Sequence, residues 1–116
     1  MVTAMKRSAA VALLLLSSSP ALAGASNFVL VNGTGAAIAN VSITRSGTKD
    51  WKALDASPAA GARAPVKFSN QDCAFDIRAN VSGTGQVTWA GVNLCDVKSV
   101  VLKRDATAGA WVDYDQ

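Results

Sequence analysis

Short stretches in which apolar and polar residues alternate are the feature that most limits how this chain can fold. In residues 73–79, for example, Phe75 and Ile77 fall on one side and charged residues on the other. Side chains of a β-strand point to opposite faces in turn, so this period is typical of half-buried strands. Turn-forming residues separate the stretches at regular intervals, most clearly at residues 82–85 (SGTG).

The alternation predicts an all-β fold, a small sandwich of about seven antiparallel strands, Ig-like or similar. Residues 73–90 are expected to form a β-hairpin, with Trp89 pointing into the core beside Val87. Residues 45–62 follow neither the strand nor the helix period, and one helical turn is expected within them, at residues 50–55. The strands are predicted at 27–32, 38–44, 63–68, 73–79, 86–90, 97–103 and 110–115.

The N-terminal residues have the order of a secretory signal peptide. Lys6 and Arg7 precede an apolar run at residues 9–16, and small residues follow at 21–23. The run is shorter than the roughly 20 residues of a membrane span. We therefore expect residues 1–23 to be a signal peptide cleaved after Ala23, with cleavage after Ala25 as the alternative. Residues 24–116 then form a single exported β-sandwich domain without a membrane span, in the periplasm or outside the cell.

The composition of residues 24–116 narrows the possible chemistry. Without Lys6 and Arg7, nine of the 11 basic residues remain against eight Asp, and they are scattered rather than gathered in a stripe. Nucleic acid is therefore not expected as a partner. These residues contain no His, Glu or Met, so no catalytic triad with His and no common zinc or copper site can be named. No metal or cofactor is expected.

The chain has two cysteines, Cys73 and Cys95. An exported protein folds in an oxidising compartment, where paired thiols form bridges. We expect a structural disulfide between them, worth about 3 kcal/mol of stability from the loop that it closes. A free or redox-active thiol pair is the alternative, although the spacing is unlike the CxxC of an oxidoreductase.

Two motifs extend this interpretation. The first is Cys-x-Phe-Asp-Ile-Arg at 73–78, and the second is Val-Asn-Leu-Cys at 92–95. Together with the Phe-x-Leu-x-Asn-x-Thr-Gly pattern at 28–35, and with Trp89 between the two motifs, they resemble small exported bacterial proteins of unknown function that share C-x-[FY]-D-[IL]-R and a later V-[ND]-L-C. The resemblance covers nearly all of residues 24–116. It implies an exported location and a β-rich, disulfide-bonded domain, and it implies no activity.

Three aromatic residues are candidate contact residues, because exposed aromatic rings bind sugars and protein partners. Trp51 lies in the irregular segment, where it is expected either to close one end of the sandwich or to contact a partner. Trp111 and Tyr114 lie in the last strand, on opposite faces by the strand period. This strand is expected at a sheet edge, and packing is the expected state of both rings.

Two pairs of carboxylates could do acid–base work: Asp50 with Asp55, and Asp113 with Asp115. Aspartates more often occupy turns and solvated faces. Asp76 and Arg78 share one face of a strand, where they could pair with each other or with neighbours, and a cross-strand ion pair is the expected arrangement. No catalytic residue is therefore assigned.

These observations favour an exported, non-enzymatic binding module whose partner is a protein or a glycan of the cell envelope. Three alternatives stay open. The first is an inhibitor that inserts residues 45–62 into a hydrolase, and the second is a small hydrolase that uses Asp pairs. The third is an assembly subunit that gives or receives an edge strand.

Overall fold

The computed structural model describes residues 24–115, which form eight β-strands and no helix. Consequently no helix in this range is long and apolar enough to cross a membrane. The predicted signal peptide, residues 1–23, and its cleavage site after Ala23 lie outside the described residues. The strands are β1 (Phe28–Gly33), β2 (Ile38–Arg45), β3 (Lys52–Ala53), β4 (Arg63–Val66), β5 (Ala74–Val81), β6 (Gly85–Asn93), β7 (Ser99–Asp105) and β8 (Gly109–Asp115).

The strands form two four-stranded sheets that pack face to face. The first sheet has the order β4-β1-β7-β8, and the second has the order β3-β2-β5-β6. The predicted all-β sandwich is confirmed, with one strand more than the sequence indicated. One pairing also departs from an antiparallel arrangement, because β1 runs parallel to β7, with Val29 opposite Ser99 and Val31 opposite Val101. Strands so far apart in the chain pair through tertiary packing, which a local period does not report.

The core lies between the two sheets and contains the residues that the strand period placed inward. Leu30, Ile77 and Leu102 have no exposed surface, and Trp89 is 2% exposed, as predicted. The indole Nε1 of Trp89 donates a hydrogen bond to the carbonyl oxygen of Lys103 at 2.8 Å. The buried tryptophan therefore keeps its one polar group satisfied while its ring fills the space between the sheets.

The expected helical turn at residues 50–55 is wrong, because this stretch is extended and contains β3. Ser42 of β2 lies opposite Ala53, and the N–H of Leu54 donates to the carbonyl oxygen of Val41 at 2.8 Å. Asp50 does not cap a helix, and its carboxylate lies 3.5 Å from Lys52 Nζ. Extended backbone beside β2 gains ladder hydrogen bonds that an isolated helical turn would not make.

The predicted hairpin at residues 73–90 is confirmed as β5 and β6, joined through the turn at residues 82–84. Cys73 and Cys95 form a disulfide with an S–S distance of 2.04 Å and a Cα–Cα distance of 5.2 Å. Because Cys73 precedes β5 and Cys95 follows β6, the bridge joins the two open ends of this hairpin. The expected pairing is thus confirmed.

Asn32 is a polar residue in the core, with no exposed surface. Its Nδ2 donates to the carbonyl oxygens of Ala36 at 2.8 Å and of Pro58 at 3.0 Å. Its Oδ1 accepts hydrogen bonds from the N–H of Thr34 at 3.1 Å and from the Thr34 hydroxyl at 2.6 Å. The side chain therefore ties the turn after β1 to the segment that precedes β4, and all its polar atoms are paired.

Candidate functional site

The face of the first sheet that is turned away from the core brings together side chains from β4, β1, β7 and β8. We call it the outer face of the first sheet. In β1 the inward residues are buried, so Val29 and Val31 point outward, where they are half-buried. The register then places three rows across this face. The rows are Pro65–Val29–Ser99–Asp115, Arg63–Val31–Val101–Asp113 and Gly33–Lys103–Trp111.

Trp111 is the most exposed large apolar side chain on this face, with 41% of its surface accessible. Its cross-strand neighbour is Lys103. A Cβ built on Gly33 would lie 3.0 Å from Lys103 Cδ and 2.9 Å from Val101 Cγ1, so both side chains cover β1 at this point. The stem of Lys103 therefore leans towards β1, on the side away from β8. Trp111 is left as an exposed ring beside half-buried valines.

Tyr114 lies on the opposite face of β8 and is 42% exposed. Its hydroxyl accepts a hydrogen bond from the backbone N–H of Asn93, at the end of β6, at 2.9 Å. The hydroxyl thus connects the two sheets on the side where β8 lies over β6. Since the two rings share no face, they do not form one aromatic patch. Both rings were expected to be packed, but both are exposed. β8 is an edge strand whose residues are mostly exposed.

Trp51 lies against the outer face of the second sheet, where the Arg78 guanidinium carbon is 4.1 Å from the centre of its ring. The stacking gives the cation a favourable position over the ring. Arg78 belongs to β5 and points outward between buried Ile77 and Ala79. Trp51 is thus half-buried on a sheet face and does not close an end of the sandwich.

The segment at residues 45–62 is held to the domain at several points. The hydroxyls of Thr44 and Thr48 are 2.7 Å apart, and Leu54 and Ala56 contact the core. The carbonyl oxygen of Pro58 accepts the hydrogen bond from Asn32 described above. With β3 also paired to β2, the segment is a packed part of the sandwich rather than a projecting loop.

Asp50 and Asp55, the first candidate carboxylate pair, lie in separate clefts. Asp50 lines a cleft of about 240 Å³ whose other acidic residue is Asp72, and Asp72 lies 3.7 Å from Arg45. Asp55 lines a different cleft, of about 400 Å³, between β3 and β4. Among residues 24–115, no group of three or more His, Cys, Asp or Glu side chains is placed to hold a metal ion.

Asp76 makes no ion pair with a described residue, so the expected pairing with basic groups is wrong. Its Oδ1 accepts hydrogen bonds from the Ser46 hydroxyl at 2.8 Å and from the N–H of Gly91 at 2.9 Å. The second bond falls at a β-bulge, where β6 has one residue more than β5 between the pairs Phe75–Val92 and Ile77–Trp89. Asp76 therefore holds an irregular part of the sheet in place.

Sequence reasoning did not identify the outer face of the first sheet as a surface. A signal was nevertheless present in β1, where residues 28–31 (FVLV) are apolar at both inward and outward positions. A strand that faces water on one side normally alternates, whereas a continuous apolar run indicates that both faces are covered or make contacts. Val101 in β7 carries the same signal.

No protein-family model and no curated protein matches this chain. Among solved structures, the chain is similar to a protein from Eubacterium rectale whose structure was determined by NMR. The match covers 85% of this chain and 96% of that chain, with a TM-score of 0.54 and 15% sequence identity. At this identity the likeness extends to the fold alone. The resemblance to exported bacterial proteins with paired cysteine motifs stays a prediction.

Proposed function

We propose that the protein is an exported, non-enzymatic binding module, and that it contacts a protein of the cell envelope through the outer face of the first sheet. Export rests on the form of residues 1–23, and the disulfide between Cys73 and Cys95 is consistent with it. The proposed contact centre is Trp111.

The exposure of Trp111 is the observation that carries the proposal. A tryptophan with 41% of its surface in water shares one sheet face with the half-buried Val31 and Val101, which belong to the adjacent row. Tryptophan is enriched among the residues that dominate binding energy at protein interfaces, and exposed apolar surface rimmed by polar residues marks such interfaces. On this face the rim consists of Arg63, Lys103 and Asp113.

The chemistry of the face favours a protein over a glycan. A glycan site pairs an aromatic ring with several hydrogen-bonding side chains, whereas the middle row of this face has Val31 and Val101 at its centre. An apolar centre with a charged rim is the usual anatomy of a protein–protein interface. The second sheet carries the alternative surface, where Trp51 is already stacked on Arg78.

Substitution of Trp111 tests the proposal. We expect Trp111→Ala to weaken retention of an envelope protein by the immobilised domain at least tenfold, since truncating a central interface tryptophan typically costs about 2 kcal/mol or more. The measurement is quantitative pull-down from envelope extract of the producing cell, followed by titration with the purified partner. A partner resistant to protease and sensitive to glycosidase would point instead to a glycan.

Trp51→Ala is the matched control, because it removes an equal side chain from the opposite face of the sandwich. Retention by this variant should equal that of the unaltered domain. Equal retention by Trp111→Ala and the unaltered domain would contradict the proposed surface, and a loss confined to Trp51→Ala would move the surface to the second sheet. The fluorescence of the remaining tryptophans and thermal unfolding establish that both variants are folded.

A further inference from the structure

The sandwich has four edge strands, and three of them are protected against pairing with another chain. β3 has two residues, which is too short to template a partner strand. β4 has four residues and contains Pro65, which has no N–H to donate. β6 contains the bulge that lies opposite Asp76 of β5, with Gly91 at a φ of 66°. Short length, proline and bulges are the devices that keep sheet edges from associating.

β8 has none of these three devices. It has seven residues, and all of them pair with β7 in one continuous register, from Asp105↔Gly109 to Ser99↔Asp115. It contains no proline and no lysine. Its other edge has no strand beside it in the first sheet. β8 is therefore the longest regular and unprotected edge in the described part of the chain.

The direction of the free backbone groups follows from the register. The N–H of Val29 donates to the carbonyl oxygen of Lys98, so in the parallel ladder the residues of β7 that turn their backbone to β1 are Val100 and Leu102. Ser99, Val101 and Lys103 then turn theirs to β8. Within β8, the backbone groups of the alternate residues point to the free edge, and these are Ala110, Val112 and Tyr114.

Two outward side chains of β8 are acidic and lack a cationic partner among the described residues. Trp111, Asp113 and Asp115 follow one another on the outer face of the first sheet, and neither carboxylate makes an ion pair with a described residue. Their neighbours on β7 are Val101 and Ser99, which are uncharged. A strand placed beside β8 would set its own side chains directly opposite these carboxylates, about 5 Å away.

We propose that β8 receives an extended basic segment of the partner protein as a fifth strand of the first sheet. Lys or Arg at alternate positions would lie opposite Asp113 and Asp115, and a third cation or apolar group would pack on Trp111. Main-chain hydrogen bonds to Val112 and its alternate neighbours would supply affinity, as in other strand additions. This mode rests on the proposed function, which makes the same face the contact surface.

A synthetic peptide of alternating Lys and Val, seven residues long and blocked at both ends, is the probe. We expect its addition to shift the backbone amide NMR signals of Ala110, Val112 and Tyr114 and to slow their hydrogen exchange. A peptide with Glu in place of Lys should not bind, nor should a Lys-Val peptide that is N-methylated at every residue. Binding of the N-methylated peptide would overturn strand addition, because that peptide cannot form the ladder.

Charge reversal on β8 tests the recognition. The double variant Asp113→Lys, Asp115→Lys should bind the Lys-Val peptide roughly tenfold more weakly and gain affinity for the Glu-Val peptide. The matched control is Asp50→Lys, Asp55→Lys, which changes the net charge equally at exposed positions of another segment. Equal weakening in both variants would indicate long-range attraction only and would overturn the assignment to β8.

Two further outcomes separate this inference from the proposed function. An envelope partner lost by Trp111→Ala but retained by the β8 charge reversal would leave the proposed function standing and would overturn strand addition. Protection of the β8 amides that grows with the concentration of the domain alone would mean that a second copy fills the edge, and this too would overturn the inference.

Discussion

At the scale of single residues, Asn32 is the polar group on which the first sheet most depends. Asn32→Ala removes a fully buried side chain and leaves the carbonyls of Ala36 and Pro58 and the N–H of Thr34 without that partner. We expect a loss of about 2–3 kcal/mol in the free energy of unfolding. Denaturant titration measures the loss.

The control for Asn32 is Asn80→Ala, because Asn80 is exposed and its side chain makes no hydrogen bond to a described residue. This variant should unfold within about 0.5 kcal/mol of the unaltered domain. Equal free energies of unfolding for the two alanine variants would show that the hydrogen bonds of Asn32 do not stabilise the fold.

Asp105 gives the domain a predictable response to acid. The backbone N–H of Ala108 and then that of Thr107 donate to its carboxylate, and these bonds lower its pKa below the ordinary value of 3.8. A lowered pKa in the folded state means that the ionised form stabilises the fold. This stabilisation is complete above the unfolded-state pKa and is lost as the pH falls through the folded-state pKa.

Asp105→Asn should therefore lose stability relative to the unaltered domain at neutral pH, and this difference should shrink as the pH falls below about 4. The amide keeps an acceptor oxygen but carries no charge. Denaturant midpoints of both proteins, measured across the pH range, make the comparison. A difference that stayed constant down to about pH 2 would show that ionisation of Asp105 is not involved.

At the scale of elements, the disulfide joins the start of β5 to the end of β6, opposite the turn of this hairpin. The double variant Cys73→Ser, Cys95→Ser should lose about 3 kcal/mol, mainly because the unfolded chain regains the freedom of the loop between the two residues. Denaturant unfolding of the unaltered domain with and without reductant should give the same difference. Reductant should not change the double variant, and any effect there would reveal an artefact of the reagent.

The elements that the sequence predicted well are those with local signals. The β5–β6 hairpin has an alternating strand on each side of a glycine-rich turn, and Trp89 follows the inward period of β6. β3 was missed because its two residues carry no period, and its backbone is extended by pairing with β2. The bulge at Gly91 was missed for a related reason, since the hydrogen bond from its N–H to Asp76 is a tertiary contact.

At the scale of the whole molecule, the sandwich could be predicted from the number and spacing of strands, but the candidate site could not. The outer face of the first sheet combines residues of β1 and β4 with residues of β7 and β8, which come much later in the chain. Trp111 was a candidate from its residue type. The placement of Val31 on the same face depends on the parallel pairing of β1 with β7, for which no local pattern exists.

The parallel pairing also fixes an order of assembly. β2, β5 and β6 come from the middle of the chain and can pair with one another before its end has been made. β1 must wait for β7, so the sheet to which it belongs stays incomplete until residues 99–105 have been synthesised. A nascent chain that lacks β7 therefore has no complete first sheet against which the second sheet could bury its inner face.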